Sequence, residues 1–282
     1  MSTIGIIAGS GRFPFLVAQG AKSRGKRVVI CGFHGNADSA LAAEADVFTL
    51  IHLGQLGALI DFLKRNKVET VCLAGAISKP RALDLRPDLR AAKLLFKLVG
   101  KGDDAILRAV ADELHSEGIL VVRPEEMVPE LRSSSGVFTG LPLSQENRDD
   151  IRFGWNIAKA VGSLDIGQCV AVRSGIVIAV EGIEGTDAAL SRGGELGGPG
   201  CVAVKIFKPG QDARLDLPSI GMTTLELLAR YRYAALAFEA EKTLFFDQAA
   251  ALKFAEKSGI AVVGVPGDPE RFFNSTAFQG KN

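Results

Sequence analysis

This sequence predicts an α/β fold in two domains, and three observations carry the prediction. Short apolar runs alternate with stretches of helical period through the first 123 residues. A stretch rich in Pro, Gly and Ser without a sustained period then interrupts the chain at 124–148. A chain of 282 residues also exceeds the usual domain size of about 150 residues.

Thr3 to Ala8 is an apolar run that stops at Gly9-Ser-Gly11, and Phe13 to Arg24 then repeats apolar residues at helical spacing. Arg27 to Cys31 reads as the second strand, Asp38 to Ala45 as a short helix, Val47 to Leu50 as a strand and Leu56 to Arg65 as a helix. Thr70 to Ala76 is a buried strand that again ends on glycine. The alternation implies a Rossmann-like parallel sheet over 1–123 with helices on both faces. Ligands of such a sheet lie beyond the carboxyl ends of its strands, where Gly9, Gly11, Gly75 and Ser78 fall. Two helical segments between Pro87 and Gly118 flank Gly102-Asp-Asp104, where Asp103 suits either a helix cap or a carboxylate facing a cleft. Ile119 to Arg123 is a further strand.

With 124–148 read as a linker, the second domain covers 149–267 and a polar tail 268–282. A helix from Asp149 to Ala160 has an acidic first turn. Cys169 to Val172 and Ile176 to Val180 flank Arg173-Ser-Gly175 as in a hairpin, which predicts a mixed α/β domain. Ala188 to Arg192 begins a helix, Gly193 to Gly200 reads as a mobile loop that orders on binding, and Cys201 to Phe207 is a strand. Thr224 to Tyr231 and Gln248 to Lys257 are helical, while Ala234 to Phe238, Thr243 to Phe246 and Ile260 to Val265 are strands. A ligand cleft is expected between the two domains.

Composition excludes several functions. The 33 basic and 32 acidic residues leave a formal net charge of +1, against a general nucleic-acid binder. The cysteines, Cys31, Cys72, Cys169 and Cys201, have no metal-ligand spacing and sit mostly in apolar runs, as core thiols of a reducing compartment do. With no leader-like start and no long apolar window, a soluble cytoplasmic protein is expected. His34, His52 and His115 lie on separate elements without a nucleophile elbow. Pro14 stands where a dinucleotide fingerprint needs glycine, which argues against a Rossmann oxidoreductase.

The densest chemistry lies between Val204 and Gly221. Lys205, Lys208, Asp212, Arg214 and Asp216 are presented by a segment that Pro209, Gly210, Pro218 and Gly221 bend. Two carboxylates can hold a hard cation or poise a water, and two lysines with an arginine can neutralise phosphate oxygens. A second unusual stretch, Glu181-Gly-Ile-Glu-Gly-Thr-Asp187, ends a strand with three carboxylates and a hydroxyl. Thr186 or Asp187 there also suits a helix N-cap. Backbone N–H groups of the Gly9 to Gly11 turn, with Arg12 beside them, can approach a phosphate closely. The residues alone point to a phosphate or diphosphate ester.

Glu181-Gly-Ile-Glu-Gly-Thr-Asp-Ala188 and Lys208-Pro-Gly-Gln-Asp-Ala-Arg-Leu-Asp-Leu-Pro218 closely resemble the signature segments of the UDP-2,3-diacylglucosamine pyrophosphatases of the LpxI type. Ile4-Gly-Ile-Ile-Ala-Gly-Ser-Gly11, Gly102-Asp-Asp104 and Leu164-Asp-Ile-Gly-Gln168 extend the resemblance over nearly the whole chain. It implies hydrolysis of the diphosphate of UDP-2,3-diacylglucosamine to UMP and 2,3-diacylglucosamine 1-phosphate in lipid A synthesis, with Mg2+ or another divalent cation. On that resemblance Asp187, Asp212 and Asp216 are expected as metal ligands or water activators. Lys205, Lys208 and Arg214 are expected on the diphosphate, with Thr186, Gln211, Gly9, Gly11, Arg12 and Gly75 on the rest of the substrate. The lipid-linked UDP-sugar implies transient contact with the inner-membrane surface, and a homodimer stays open. The alternative is a nucleotide-sugar binding or regulatory protein without turnover. Tyr231-Arg-Tyr233 departs from the small, glycine-containing turn expected there.

Overall fold

The structure, a computed structural model, describes residues 2–77, 86–96, 98 and 103–275. Ser78, Gly102, the side chain of Asp103 and the tail past Ser275 lie outside the described residues. The chain forms two compact units, Met1–Pro129 with Asp212–Asp216, and Glu130–Gln211 with Leu217–Asn282.

The first unit is built on five parallel strands, Thr3–Ala8 (β1), Arg27–Phe33 (β2), Val47–Ile51 (β3), Thr70–Ala74 (β4) and Leu120–Val121 (β5), in the order β3-β2-β1-β4-β5. β1 is buried from Ile4 to Ala8 and β2 from Val28 to Phe33, so these central strands read as unbroken apolar runs, as strands covered on both faces do. Phe13–Ser23 (α1), Leu56–Arg65 (α2), Leu89–Phe96 (α3) and Asp103–Ser116 (α4) supply the helices. α2 turns Leu56, Leu59, Ile60 and Leu63 inward, the spacing of one helix face. The segment expected as a short helix at Asp38 to Ala45 is a 3-10 helix, Ser39–Glu44, capped by Asp38, whose carboxylate accepts from Ala40 N. Leu215 is buried in the core that includes Ile7, Val29, Leu59, Leu63 and Leu114.

The second unit holds the strands Gly136–Val137 (β6), Cys169–Arg173 (β7), Ile176–Val180 (β8) and Val202–Lys205 (β9). The helices Gln145–Ser163 (α5), Thr186–Gly197 (α6) and Met222–Arg230 (α7) follow this chain order, with the short strand Ser219–Ile220 (β10) ahead of α7. Ala235–Glu239 (β11), Leu244–Phe245 (β12), Gln248–Lys257 (α8), Ala261–Val265 (β13) and Pro269–Phe273 (α9) complete it. The main sheet runs β6-β13-β11-β9-β7-β8. β13, β11 and β9 are parallel, whereas β6, and β7 against both β8 and β9, pair antiparallel. β10 and β12 form a separate parallel pair. The mixed sheet follows from the β7–β8 hairpin, as the sequence predicts.

Three local expectations are corrected. Gly193 to Gly197 are helical, forming the end of α6, and not a mobile loop. A Cβ on Gly193 would lie 2.6 Å from the Ala171 Cβ, and one on Gly197 2.4 Å from the Cys201 Sγ, so these glycines let α6 press onto the sheet. Helix α5 begins at Gln145 and not Asp149, because the Ser144 side chain accepts from Asn147 N at 3.0 Å. Asp150 is thereby buried inside the helix, where its carboxylate accepts from Ser174 N at 2.9 Å and Gly175 N at 2.7 Å and closes the hairpin turn. Finally, the N-cap of α6 is Gly185 at φ 82°, not Thr186 or Asp187.

The departure at Tyr231-Arg-Tyr233 is also a packing feature. The hydroxyl of buried Tyr233 donates to Leu190 O at 2.7 Å, and the ring of Tyr231 fills the space beside Gly194.

Candidate active site

Gly9, Gly11 and Arg12 follow the carboxyl end of β1, and Gly75 follows that of β4. The two ends are stitched together: Ser10 N donates to Ala76 O at 2.7 Å, Ala76 N to Ser10 O at 3.2 Å, and the Ser10 hydroxyl to Ala76 O at 2.9 Å. A Cβ on Gly9 would stand 2.4 Å from Ala76 O and one on Gly75 2.5 Å from Ser10 O. These two glycines are therefore required by backbone approach. Gly11 differs, with φ +89° and open space around it. Arg12 is exposed at the N-cap of α1.

In the second unit the register collects polar groups at one edge of the sheet. Lys205 at the end of β9 pairs with Cys169 at the start of β7 and with Phe238, one residue before Glu239 at the end of β11. Glu181 follows β8 and donates its N–H to Cys169 O at 2.9 Å. Burial first, then the Glu181 and Asp187 charges, push the Cys169 thiol up, while Lys205 opposes them. Lys205 is 7% exposed, and its Nζ donates to Ser219 O at 2.8 Å. The Thr186 hydroxyl donates to Glu181 Oε1 at 3.0 Å, and Gln168 N to Glu181 Oε2 at 3.2 Å. Asp187 is exposed in the first turn of α6, where the helix dipole favours its charge.

Past β9 the chain turns through 206–216. Lys208 Nζ is ion-paired with Asp165, and Lys208 N donates to Oε1 of buried Gln211 at 3.3 Å. Asp212 O accepts from Leu215 N at 2.9 Å and Asp216 N at 3.3 Å, a single tight turn. Arg214 donates to both oxygens of Asp212 and holds its carboxyl below the usual aspartate range. Asp216 is exposed. The structure thus brings Lys205, Thr186 and Asp187 to one sheet edge, with Lys208 and Gln211 on the turn that leaves it. Asp212, Arg214 and Asp216 belong to the first unit.

Residues 3–131 match the family model described as the LpxI N-terminal domain, and residues 134–263 match the LpxI C-terminal domain. The chain belongs to the LpxI family. A relative from Caulobacter vibrioides named UDP-2,3-diacylglucosamine pyrophosphatase LpxI is 34% identical over 285 residues, covering 96% of this chain and 99% of that protein. Solved structures are far more distant. A phosphoribosylglycinamide synthetase from Anaerococcus prevotii matches at 11% identity and a TM-score of 0.27, covering 63% of this chain and 38% of that one. A biotin carboxylase from Campylobacter jejuni matches at 12% identity and 0.27, covering 69% and 42%. Neither likeness carries an argument.

In this LpxI-family chain no three His, Cys, Asp or Glu side chains come together as a metal cage among the described residues. Asp212 is moreover already bound by Arg214. The donor set does not fit a cation held by protein alone. Sequence reasoning also missed Lys159, Asp165 and Glu239. Glu239 had a legible signal, a lone acid ending the apolar run Ala235-Leu-Ala-Phe238. Asp165 lies in the Leu164–Gln168 stretch already singled out, but its pairing was not legible, and Lys159 had no signal, because their partners are distant in sequence.

Proposed function

We propose that this chain hydrolyses the diphosphate of UDP-2,3-diacylglucosamine to UMP and 2,3-diacylglucosamine 1-phosphate in lipid A synthesis. The observation that carries this reading is the end-to-end match, 34% identity across 96% of the chain, to a protein bearing that name. Lys205, Lys208 and Arg214 supply the cations that a diphosphate needs as charge develops at phosphorus. Asp216 orients the attacking water, and Asp187 and Asp212 add carboxylate charge. A divalent cation bound with the diphosphate would neutralise its oxygens, and an exposed carboxylate, Asp187 or Asp216, would meet it. The Gly9 to Gly11 turn, Arg12 and Gly75 serve the nucleotide, with Thr186 and Gln211 holding the sugar-phosphate end. The diacyl substrate brings the protein to the cytoplasmic face of the inner membrane. No helix among the described residues is long and apolar enough to cross a membrane.

The test is incubation of the purified full chain with UDP-2,3-diacylglucosamine, with magnesium or with a chelator, following UMP. Magnesium-dependent release is expected. Tight binding without release would replace this reading with a nucleotide-sugar binding protein, and neither would overturn the substrate itself.

A further inference from the structure

Phe207 is the first residue past the β9 ladder whose backbone has no strand partner: Lys205 pairs with Phe238, and Ile206 N donates to Gln168 O at 2.9 Å. Backbone groups at a buried edge need partners from elsewhere. Two side chains provide both. Glu239 Oε2 accepts from Phe207 N at 3.0 Å, and Lys159 Nζ donates to Phe207 O at 3.0 Å. Lys159 and Glu239 are ion-paired with each other, and Lys242 Nζ lies 3.1 Å from Glu239 Oε1. Glu239 is 1% exposed.

We propose that the Lys159–Glu239 pair positions Lys208 for the substrate diphosphate by clamping the peptide groups of Phe207. This rests on the function proposed above. A buried ion pair by itself adds little net stability, since desolvation offsets its attraction. What an apolar pair could not do is grip one residue's N–H and C=O simultaneously. The next residue is Lys208, and its ammonium is ion-paired with Asp165, two residues past the end of the helix that carries Lys159. Helix α5 thus fixes Lys208 twice, through the backbone before it and through its own side chain. Lys242 Nζ also stands 5.6 Å from the Phe207 ring centroid.

The experiment pairs Lys159→Met with Glu239→Leu in the full chain. Removing both charges leaves no buried orphaned ion but deprives the Phe207 N–H and C=O of their partners, so this double variant is expected to fold with a lowered unfolding midpoint. Its kcat/KM for UMP release should fall about tenfold to 10²-fold, the cost of a small misplacement. In a Lys208→Ala background the same two substitutions should change kcat/KM by no more than about twofold, because both act through one side chain. Lys159→Arg, which keeps a cationic donor, should recover part of the loss. Amide exchange across 206–211 should rise in the double variant, and this reads the clamp even if the wild-type chain releases no UMP. A folded double variant with wild-type kcat/KM, a loss that multiplies fully in the Lys208→Ala background, or unchanged exchange across 206–211 would each overturn the proposal.

Discussion

Arg214 lies along the carboxylate of Asp212, its Nε 3.1 Å from both oxygens and its Nη2 2.6 Å from Oδ2. The charge of Asp212 is thus already matched by its own turn. A paired carboxylate is a weak base: Asp212 shapes the turn and holds Arg214, while Asp216 is exposed four residues on.

The first prediction concerns acid stability. Hydrogen bonding from Arg214 is the largest cause of the depressed Asp212 pKa. A carboxyl whose pKa is lower folded than unfolded contributes stability above the unfolded value, and this is lost as pH falls through the folded one. The gap in unfolding free energy between wild type and Arg214→Ala should therefore be constant from neutral pH to about 4, the ordinary aspartate value, and shrink below it. Urea unfolding across that range measures it. A gap that persists well below would assign Arg214 a contribution unrelated to Asp212.

The second prediction separates the aspartates. Asp216→Ala should fold normally and lose about 10²-fold or more in kcat, the loss that follows from the water-orienting role proposed for it. Asp212→Asn should keep the turn, since its side-chain oxygen can still accept from Arg214 N at the wild-type 3.0 Å position, and should lose less. Steady-state UMP release with matched circular dichroism decides it, and equal losses would dissolve the distinction.

The third prediction is about packing. Alanine is favoured over glycine in a helix by about 1 kcal/mol. At Gly193 the added Cβ would stand 2.7 Å from the Tyr233 hydroxyl oxygen as well as against Ala171. Overpacking typically costs about 1–3 kcal/mol, so Gly193→Ala should lower stability despite the better propensity. Chemical denaturation reads the sign directly, and a stabilised variant would show that α6 can slide.

That helix also marks how far the sequence was legible. β1 to β4 and the β7–β8 hairpin follow from local signals, because burial on both faces and a tight turn write themselves into adjacent residues. The glycines of α6 misled because glycine composition speaks of backbone freedom, while their use here is room for Ala171, Tyr231 and Cys201 on other elements. The charged residues of 205–216 were found as a set, since they crowd one segment. Their contacts were not: Lys208 pairs with Asp165 past the end of α5 and Lys205 with Ser219 O on β10, while Lys159 and Glu239 meet the backbone of neighbouring Phe207, and only the fold brings these groups together.

The last prediction divides the glycine turn after β1. Gly9 is needed for close backbone approach, so Gly9→Ala should destabilise the first unit by driving Ser10 and Ala76 apart and breaking their paired hydrogen bonds. At Gly11 an alanine meets nothing, and its cost is the left-handed backbone alone, about 1–2 kcal/mol. Gly11→Ala should remain folded. If the turn presents its N–H groups to the nucleotide, that variant should raise KM for UDP-2,3-diacylglucosamine several-fold with kcat nearly unchanged, because the lost contact is made equally in ground and transition states. An unchanged KM in folded Gly11→Ala would leave the turn with its packing role only and move nucleotide recognition elsewhere in the chain.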